Sequence, residues 1–135
     1  MAALHRFRIA VAATTLLVAP CTAQETHADT CRLDGTQQAM NACAFARLEQ
    51  ADAQMNRLYA TQMSYLVGAS RQRLRGSQRA WLAYRDKACR YETGPREESG
   101  SIWPLQDALC REALTRQRSE VLRGYVACRQ ESCPG

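Results

Sequence analysis

The sequence predicts an all-α domain in which three helices are arranged antiparallel, the first helix is long, and disulfides staple the bundle. Apolar residues recur at steps of three and four over three separate stretches, and Gly and Pro residues separate those stretches. No stretch alternates with period two for long, which disfavours strands. The chain has 135 residues, 46% of them hydrophobic and 23% charged, so one domain is expected.

The first 23 residues have the pattern of a signal peptide. A basic start precedes an uncharged apolar run over residues 9–19, which is shorter than the roughly 20 apolar residues of a membrane-spanning helix. Small residues place the cleavage after Ala23. A lipoprotein anchored at Cys21 is the alternative, which Pro20 disfavours because proline fits badly beside a scissile bond. We therefore predict an exported protein, periplasmic or secreted.

The cysteines of the remaining chain predict disulfides. Cleavage leaves 16 basic and 13 acidic side chains, a net charge of +3, and six cysteines. An even number in an exported protein is typical of three disulfides, although six cysteines allow 15 connectivities. A metal site is the alternative, and the absence of a CxxC motif disfavours it. No cofactor is predicted.

A polar lead over residues 24–35 is expected to fray, and the helical domain is expected over 36–135. Asp34 or Thr36 can cap the first helix, and Gly68 is a natural stop. A helix of about 30 residues is about 45 Å long. Its predicted inward face consists of Met40, Ala44, Leu48, Ala51, Met55, Leu58, Tyr59 and Leu66.

A polar loop over residues 96–101 separates the second and third helices. Ser70 can cap the second helix, Gly94 ends it, and Pro104 suits the first turn of the third. The predicted inward face of the second helix consists of Leu74, Gln78, Trp81, Arg85, Ala88 and Tyr91. That of the third consists of Leu105, Leu109, Ala113, Leu114, Val121, Leu122, Tyr125 and Val126.

These helices favour one disulfide pattern. Cys43 lies about 10 Å inside the first helix, within reach of the segment that starts at Cys31. Cys89 is near the end of the second helix and Cys110 near the start of the third, as an antiparallel pair requires. The predicted pairs are therefore Cys31–Cys43, Cys89–Cys110 and Cys128–Cys133.

Three blocks of residues resemble the LprI-like lysozyme-inhibitor family, and together they extend from Cys31 to Tyr125. The first block is Thr36-Gln37, Met40-Asn41, Cys43, Ala51-Asp52, Met55-Asn56 and Tyr59. The central and most specific block is Gln78-Arg79-Ala80-Trp81-Leu82, Tyr84-Arg85-Asp86 and Cys89. The closing block is Gly100-Ser101, Pro104, Cys110, Leu114-Thr115, Arg118 and Leu122.

The resemblance implies an exported helical domain, with at least one relative credited with inhibiting lysozyme. This chain departs from the family pattern at Ala39, where a glutamate is usual, so the capping box that begins at Thr36 is incomplete. Cys128 and Cys133 look like an addition, and the lipobox of some relatives is poor here.

Several polar family residues fall near the predicted inward faces, either as a binding cleft or as a hydrogen-bonded core. We favour the core, because carboxylates facing guanidinium groups fix the register of helices, and because Trp81 and Tyr84 lie among them as packing residues would. These family residues, predicted to be structural, are Asp52, Asn56, Tyr59, Gln78, Trp81, Arg85, Asp86, Thr115 and Arg118.

Catalysis is not predicted. The only histidine after the signal peptide is His27, which lies in the polar lead, so acid–base chemistry has few candidates. Asp52 and Asp86 could in principle act as a glycosidase pair, but helical proteins commonly carry such pairs. We predict binding without enzymatic activity.

The candidate partner-binding residues surround the loop closed by Cys89 and Cys110, and they are Arg90, Arg96, Ser101 and Trp103. A constrained loop binds at lower entropic cost, and an arginine on it could enter the carboxylate-lined cleft of lysozyme. Animal lysozymes are strongly basic, so a +3 partner gains no long-range attraction to them. Trp103 either contacts a partner or packs in the core.

The partner alternatives are therefore a lysozyme, as the resemblance implies, or another protein or wall component bound by a non-catalytic envelope module. Export makes nucleic acid an unsuitable partner. Arg71, Arg75 and Arg79 form a basic stripe on the second helix, which is either a solvated face or a site for anionic lipid or wall polymer. The oligomeric state is left open.

Overall fold

The computed structural model describes residues 31–129 and 133, which form three long helices. Helix α1 is Gln37–Tyr65, α2 is Gly68–Thr93 and α3 is Trp103–Ala127, and a short 3-10 turn, Gly100–Ile102, precedes α3. The predicted all-α class and the long first helix, of 29 residues, are confirmed. The predicted signal peptide, 1–23, and residues 24–30 of the lead lie outside the described residues.

The start of α1 follows its predicted cap. The Thr36 hydroxyl accepts a hydrogen bond from the Ala39 backbone N–H at 3.2 Å, which satisfies one of the unpaired donors of the first turn. The predicted start of the second helix at Ser70 is wrong, because α2 begins at Gly68 with Val67 as its N-cap. Gly68 has φ +54°, so it lets the chain turn directly from α1 into α2.

Contacts between side chains show the relative directions of the helices. Arg47 bonds Glu112, and Asp52 bonds Thr115, so residue numbers rise together along α1 and α3. These two helices are therefore parallel, and α2 runs antiparallel to both. The α3 helix packs along α1 and, over a shorter stretch, along α2, whereas α1 and α2 approach each other less closely.

The apolar core is divided into two clusters with polar residues between them. One cluster lies where α1 meets α2 and consists of Met55, Met63, Leu66, Leu74 and Leu122. The other lies near the opposite end of the bundle and consists of Ala44, Leu105 and Ala108. The middle of the bundle must therefore be held by polar contacts.

Three disulfides connect Cys31 with Cys43, Cys89 with Cys110, and Cys128 with Cys133, which confirms the predicted pairs. The first ties the segment before α1 to that helix, and the second ties the end of α2 to the start of α3.

Three positions assigned to inward faces are wrong. Tyr91 is 90% exposed, Val121 is 44% exposed and Ala113 is also exposed, because each lies on the solvent side of its helix. Tyr84, expected to pack among the polar family residues, is exposed at 59%. None of the helices within the described part of the chain combines the length and the hydrophobicity needed to cross a bilayer.

Candidate functional site

A polar network joins the three helices at the middle of the bundle. The Arg85 Nη1 group of α2 donates to Asp52 Oδ1 of α1 at 2.8 Å and to Thr115 Oγ1 of α3 at 3.0 Å. Thr115 in turn donates to Asp52 at 3.3 Å. Thr115 is fully buried and the Arg85 side chain is 11% exposed, whereas the Asp52 side chain is 35% exposed, so the charge-assisted contact is shielded from water on the Arg85 and Thr115 side.

A second buried contact lies one to two turns away. Arg118 Nε of α3 donates to Gln78 Oε1 of α2 at 3.0 Å, and the Gln78 amide donates to the Met55 sulfur of α1 at 3.3 Å. The guanidinium groups of Arg85 and Arg118 lie 5.5 and 6.0 Å from the centre of the Trp81 ring. Trp81 therefore lies between the two contacts and binds both cations through its π face.

The network continues to the edge of the bundle through Asp86. Its Oδ1 accepts from Arg85 Nε at 3.3 Å and from Arg111 Nη1 at 2.6 Å, while Arg111 Nε donates to Asp107 at 2.8 Å. Burial by itself lowers the pKa of Arg111, but the hydrogen bonds and charges of Asp107 and Asp86 outweigh it and raise the pKa above its ordinary value.

Most of the family residues lie within the polar network or against the apolar core. Tyr59 and Trp81 are half-buried and pack against the cluster around Met55. Asn56 is the exception, because it is exposed on α1 and joins none of the network's hydrogen bonds. Asp52 and Asp86 both contact Arg85, so these carboxylates face a guanidinium group.

One ion pair of the bundle was missed by the sequence reasoning. Glu112 of α3 is buried at 3% exposure and accepts from Arg47 of α1 at 3.1 Å and from Arg116 at 2.8 Å. Its sequence signal is its spacing, since it lies four residues after Ala108 and three before Thr115, both fully buried. Hydrophobic spacing does not identify a buried glutamate, so the sequence offers no stronger indication that Glu112 lies inside the bundle.

The loop between α2 and α3, residues 94–102, is the second candidate region. The Cys89–Cys110 disulfide closes its base. Inside it, the Trp103 indole N–H donates to the Gly94 carbonyl at 3.0 Å, and the Ser99 hydroxyl lies 3.0 and 2.9 Å from the carbonyls of Thr93 and Pro95. The loop is therefore fixed by both covalent and hydrogen bonds.

The four predicted partner-binding residues lie around this loop. Trp103 is half-buried, with its indole bound to the loop rather than projecting freely, and the Arg96 guanidinium lies over its ring at 5.7 Å. Arg90 and Ser101 are exposed. Arg96 and Trp103 are brought together, whereas Arg90 stands apart on α2.

Gly94→Ala is expected to lower the free energy of unfolding by about 1–3 kcal/mol. Gly94 has φ +69° and ψ −177°, a conformation essentially restricted to glycine, and an added Cβ would also lie 3.4 Å from Ser99 Oγ. Chemical denaturation measures the loss. Gly124→Ala is the matched control, because a Cβ there meets no atom within 4 Å and α3 is regular at that point. Equal stability of the two variants would contradict the restrained loop.

None of the described residues, 31–129 and 133, forms a group of three or more His, Cys, Asp or Glu side chains arranged to hold a metal ion. The six cysteines considered as metal ligands are instead paired as disulfides. The candidate site thus consists of a polar network between the three helices and a loop restrained by a disulfide.

Comparison with known proteins agrees with this arrangement. The family model described as lysozyme inhibitor LprI matches residues 21–122. An uncharacterised protein of Rhizobium meliloti (strain 1021) is 30% identical over 132 residues, which cover 86% of this chain and 94% of that protein. No solved structure matches the chain. Because the family model covers most of the sequence, including the polar network and the disulfide-closed loop, the chain belongs to the LprI lysozyme-inhibitor family.

Proposed function

We propose that this protein is exported, binds lysozyme and blocks the substrate cleft of that enzyme with the loop over residues 94–102, without catalysing a reaction. The observation that carries the proposal is the double restraint of the loop, by the Cys89–Cys110 disulfide and by the Trp103–Gly94 hydrogen bond. A loop held in one conformation loses little entropy when it binds.

The chemistry of the loop suits the cleft. Lysozyme cleaves glycosidic bonds with a pair of carboxyl groups, and an arginine that enters the cleft can bind them with charge-assisted hydrogen bonds. Arg96 is exposed at the loop surface, with its guanidinium over the Trp103 ring. Ser101 adds an exposed hydroxyl.

The local charge of the loop reduces the electrostatic objection. Residues 94–102 carry Arg96 together with Glu97 and Glu98, and both glutamates are exposed. A basic lysozyme that approaches the loop thus meets a net negative segment, although the chain after residue 23 is net positive. Complementarity at the loop supports binding there in preference to the helices.

Arg96→Ala is expected to weaken inhibition of lysozyme by about 10- to 30-fold, because arginines at the centre of an interface often contribute most of the binding energy. The measurement is a titration of lysozyme activity with the oxidised protein lacking residues 1–23. Arg123→Ala is the matched control, since Arg123 is an exposed arginine on α3 that pairs with Glu120. Its inhibition is expected to be unchanged.

Three other outcomes would contradict part of this proposal. Equal inhibition by both variants would place the contact outside the loop. Failure to inhibit or bind any animal or bacterial wall hydrolase would favour the alternative, an envelope module that binds another protein or the wall. Hydrolysis of cell-wall substrate by the purified protein would contradict a purely binding function.

A further inference from the structure

A cavity of about 170 Å³ lies where α1 meets α2, and it reaches the C-terminal part of α3. Its apolar wall consists of Leu66, Leu74 and Tyr125. A cavity of about 150 Å³ in another protein holds a benzene molecule, so this one has room for a small organic group. The loop over residues 94–102 follows the opposite end of α2, a helix about 39 Å long, so the cavity is separate from the proposed lysozyme contact.

Gln62 of α1 lines this cavity and has an amide nitrogen without a hydrogen-bond acceptor among the described residues. The residue is only 1% exposed. Its Oε1 accepts a hydrogen bond from Arg129 Nη1 at 3.0 Å, whereas its Nε2 donates to none of the described residues. Buried polar groups in folded proteins are nearly always hydrogen-bonded. The cavity is therefore the place where an acceptor for Gln62 Nε2 can enter.

Two serine hydroxyls on the α2 side of the cavity also have hydrogens that can be donated. Ser70 Oγ accepts from Arg73 Nη2 at 2.8 Å, and Ser77 Oγ accepts from Arg118 Nη2 at 3.4 Å. Neither hydroxyl donates a hydrogen bond to a residue in the described part of the chain. Because an arginine binds the oxygen of each serine, the O–H group remains as a donor toward the cavity.

Positive charge lies directly behind these three donors, and no acidic side chain is found among the described residues that line the cavity. Within the described ranges, Arg118 and Arg129 form no ion pair. Their contacts are neutral oxygen atoms and aromatic rings. Arg118 is only 8% exposed, and a buried charge usually has a counter-charge. An anion in the cavity would supply it, and a cation bonded to an amide or hydroxyl oxygen strengthens that group as a donor.

We propose that this cavity binds a carboxylate that is attached to a short apolar group. The carboxylate accepts hydrogen bonds from Gln62 Nε2 and from the hydroxyls of Ser70 and Ser77, and the apolar group packs against Leu66 and Leu74. The apolar wall disfavours inorganic sulfate or phosphate, because such an ion would lose its hydration there without an apolar contact in exchange. The carboxylate belongs either to a free small acid or to the C-terminal end of a peptide. This inference does not depend on lysozyme binding.

The test is an NMR titration of the oxidised protein lacking residues 1–23. The probes are 4-methylpentanoate, a free acid, and N-acetyl-alanyl-leucine, a peptide end. At least one is expected to bind, with shifts at residues around the cavity, and the tighter of the two identifies the source of the carboxylate. The uncharged 4-methylpentanamide is expected to bind about 10-fold or more weakly than the acid, because a hydrogen bond to a charged group is lost. Failure of both acids to bind, or equal affinity for the amide or for sulfate, would overturn the proposal.

Two variants test the lining groups. Gln62→Glu keeps an oxygen for Arg129 but replaces the amide donor with a negative charge, so it is expected to abolish binding of the acid. Ser77→Ala changes an exposed residue and is expected to weaken binding about 10-fold. Ser64→Ala is the matched control, because Ser64 is exposed on α1 and its hydroxyl bonds the Thr61 carbonyl of the same helix. Full binding by Gln62→Glu, or equal affinities of the two serine variants, would contradict the proposed site.

Discussion

Arg85→Met is expected to lower the free energy of unfolding by about 3 kcal/mol, which corresponds to a loss of roughly 10–20 °C in Tm for a domain of this size. The guanidinium joins all three helices, through Asp52 on α1 and Thr115 on α3. Its removal leaves the buried Thr115 hydroxyl and the half-buried Asp52 carboxylate without their shared donor, and Trp81 without one of its cations. Thermal and urea denaturation of the oxidised protein measure the change.

Arg79→Met is the matched control, because it makes the same chemical change two turns earlier on α2 at an exposed position. Its effect is expected to stay within about 0.5 kcal/mol. If Arg85→Met instead kept full stability and lost lysozyme inhibition, Arg85 would belong to a binding site rather than to the core. A double-mutant cycle with Asp52→Asn separates the direct contact from the rest of the network.

The sequence predicted α1 better than α3, and the polarity of the buried positions explains the difference. The inward face of α1 is mostly apolar, as at Met55 and Ala51, so hydrophobic spacing identifies it. The inward face of α3 has a run of four polar positions between apolar ones. Its buried positions are Leu105, Ala108, Glu112, Thr115, Arg118, Ser119 and Leu122. A prediction from hydrophobic spacing alone therefore assigns Val121 to the inward face of α3, although Val121 is exposed.

Long-range pairings were less accessible from the sequence than local ones. The Cys31–Cys43 and Cys89–Cys110 disulfides follow from helix ends and loop length, which are local properties. The close parallel packing of α1 on α3 is not a local property, because these helices are not consecutive in the chain and their contact includes ion pairs between distant residues, such as Arg47–Glu112. For the candidate site, the loop residues were identified by position, but the Arg96–Trp103 stacking requires coordinates.

Removal of the Cys89–Cys110 disulfide by alanine at both positions is expected to cost about 3 kcal/mol of stability and to weaken lysozyme inhibition. The two cysteines are 21 residues apart in sequence, so the bond restricts a long segment of the unfolded chain. In the folded state it fixes the base of the loop, and without it Arg96 samples more conformations that must be lost on binding. Denaturation and activity titration measure the two effects.

Alanine at Cys128 and Cys133 is the matched control, since that disulfide closes a segment of only 5 residues at the C-terminal end. A smaller loss of stability and unchanged inhibition are expected there. Retained inhibition after loss of Cys89–Cys110, in a variant shown to be folded, would mean that the hydrogen bonds of Trp103 and Ser99 suffice to hold the loop. Parallel losses of inhibition in both variants would instead indicate that inhibition depends on global stability rather than on the geometry of the loop.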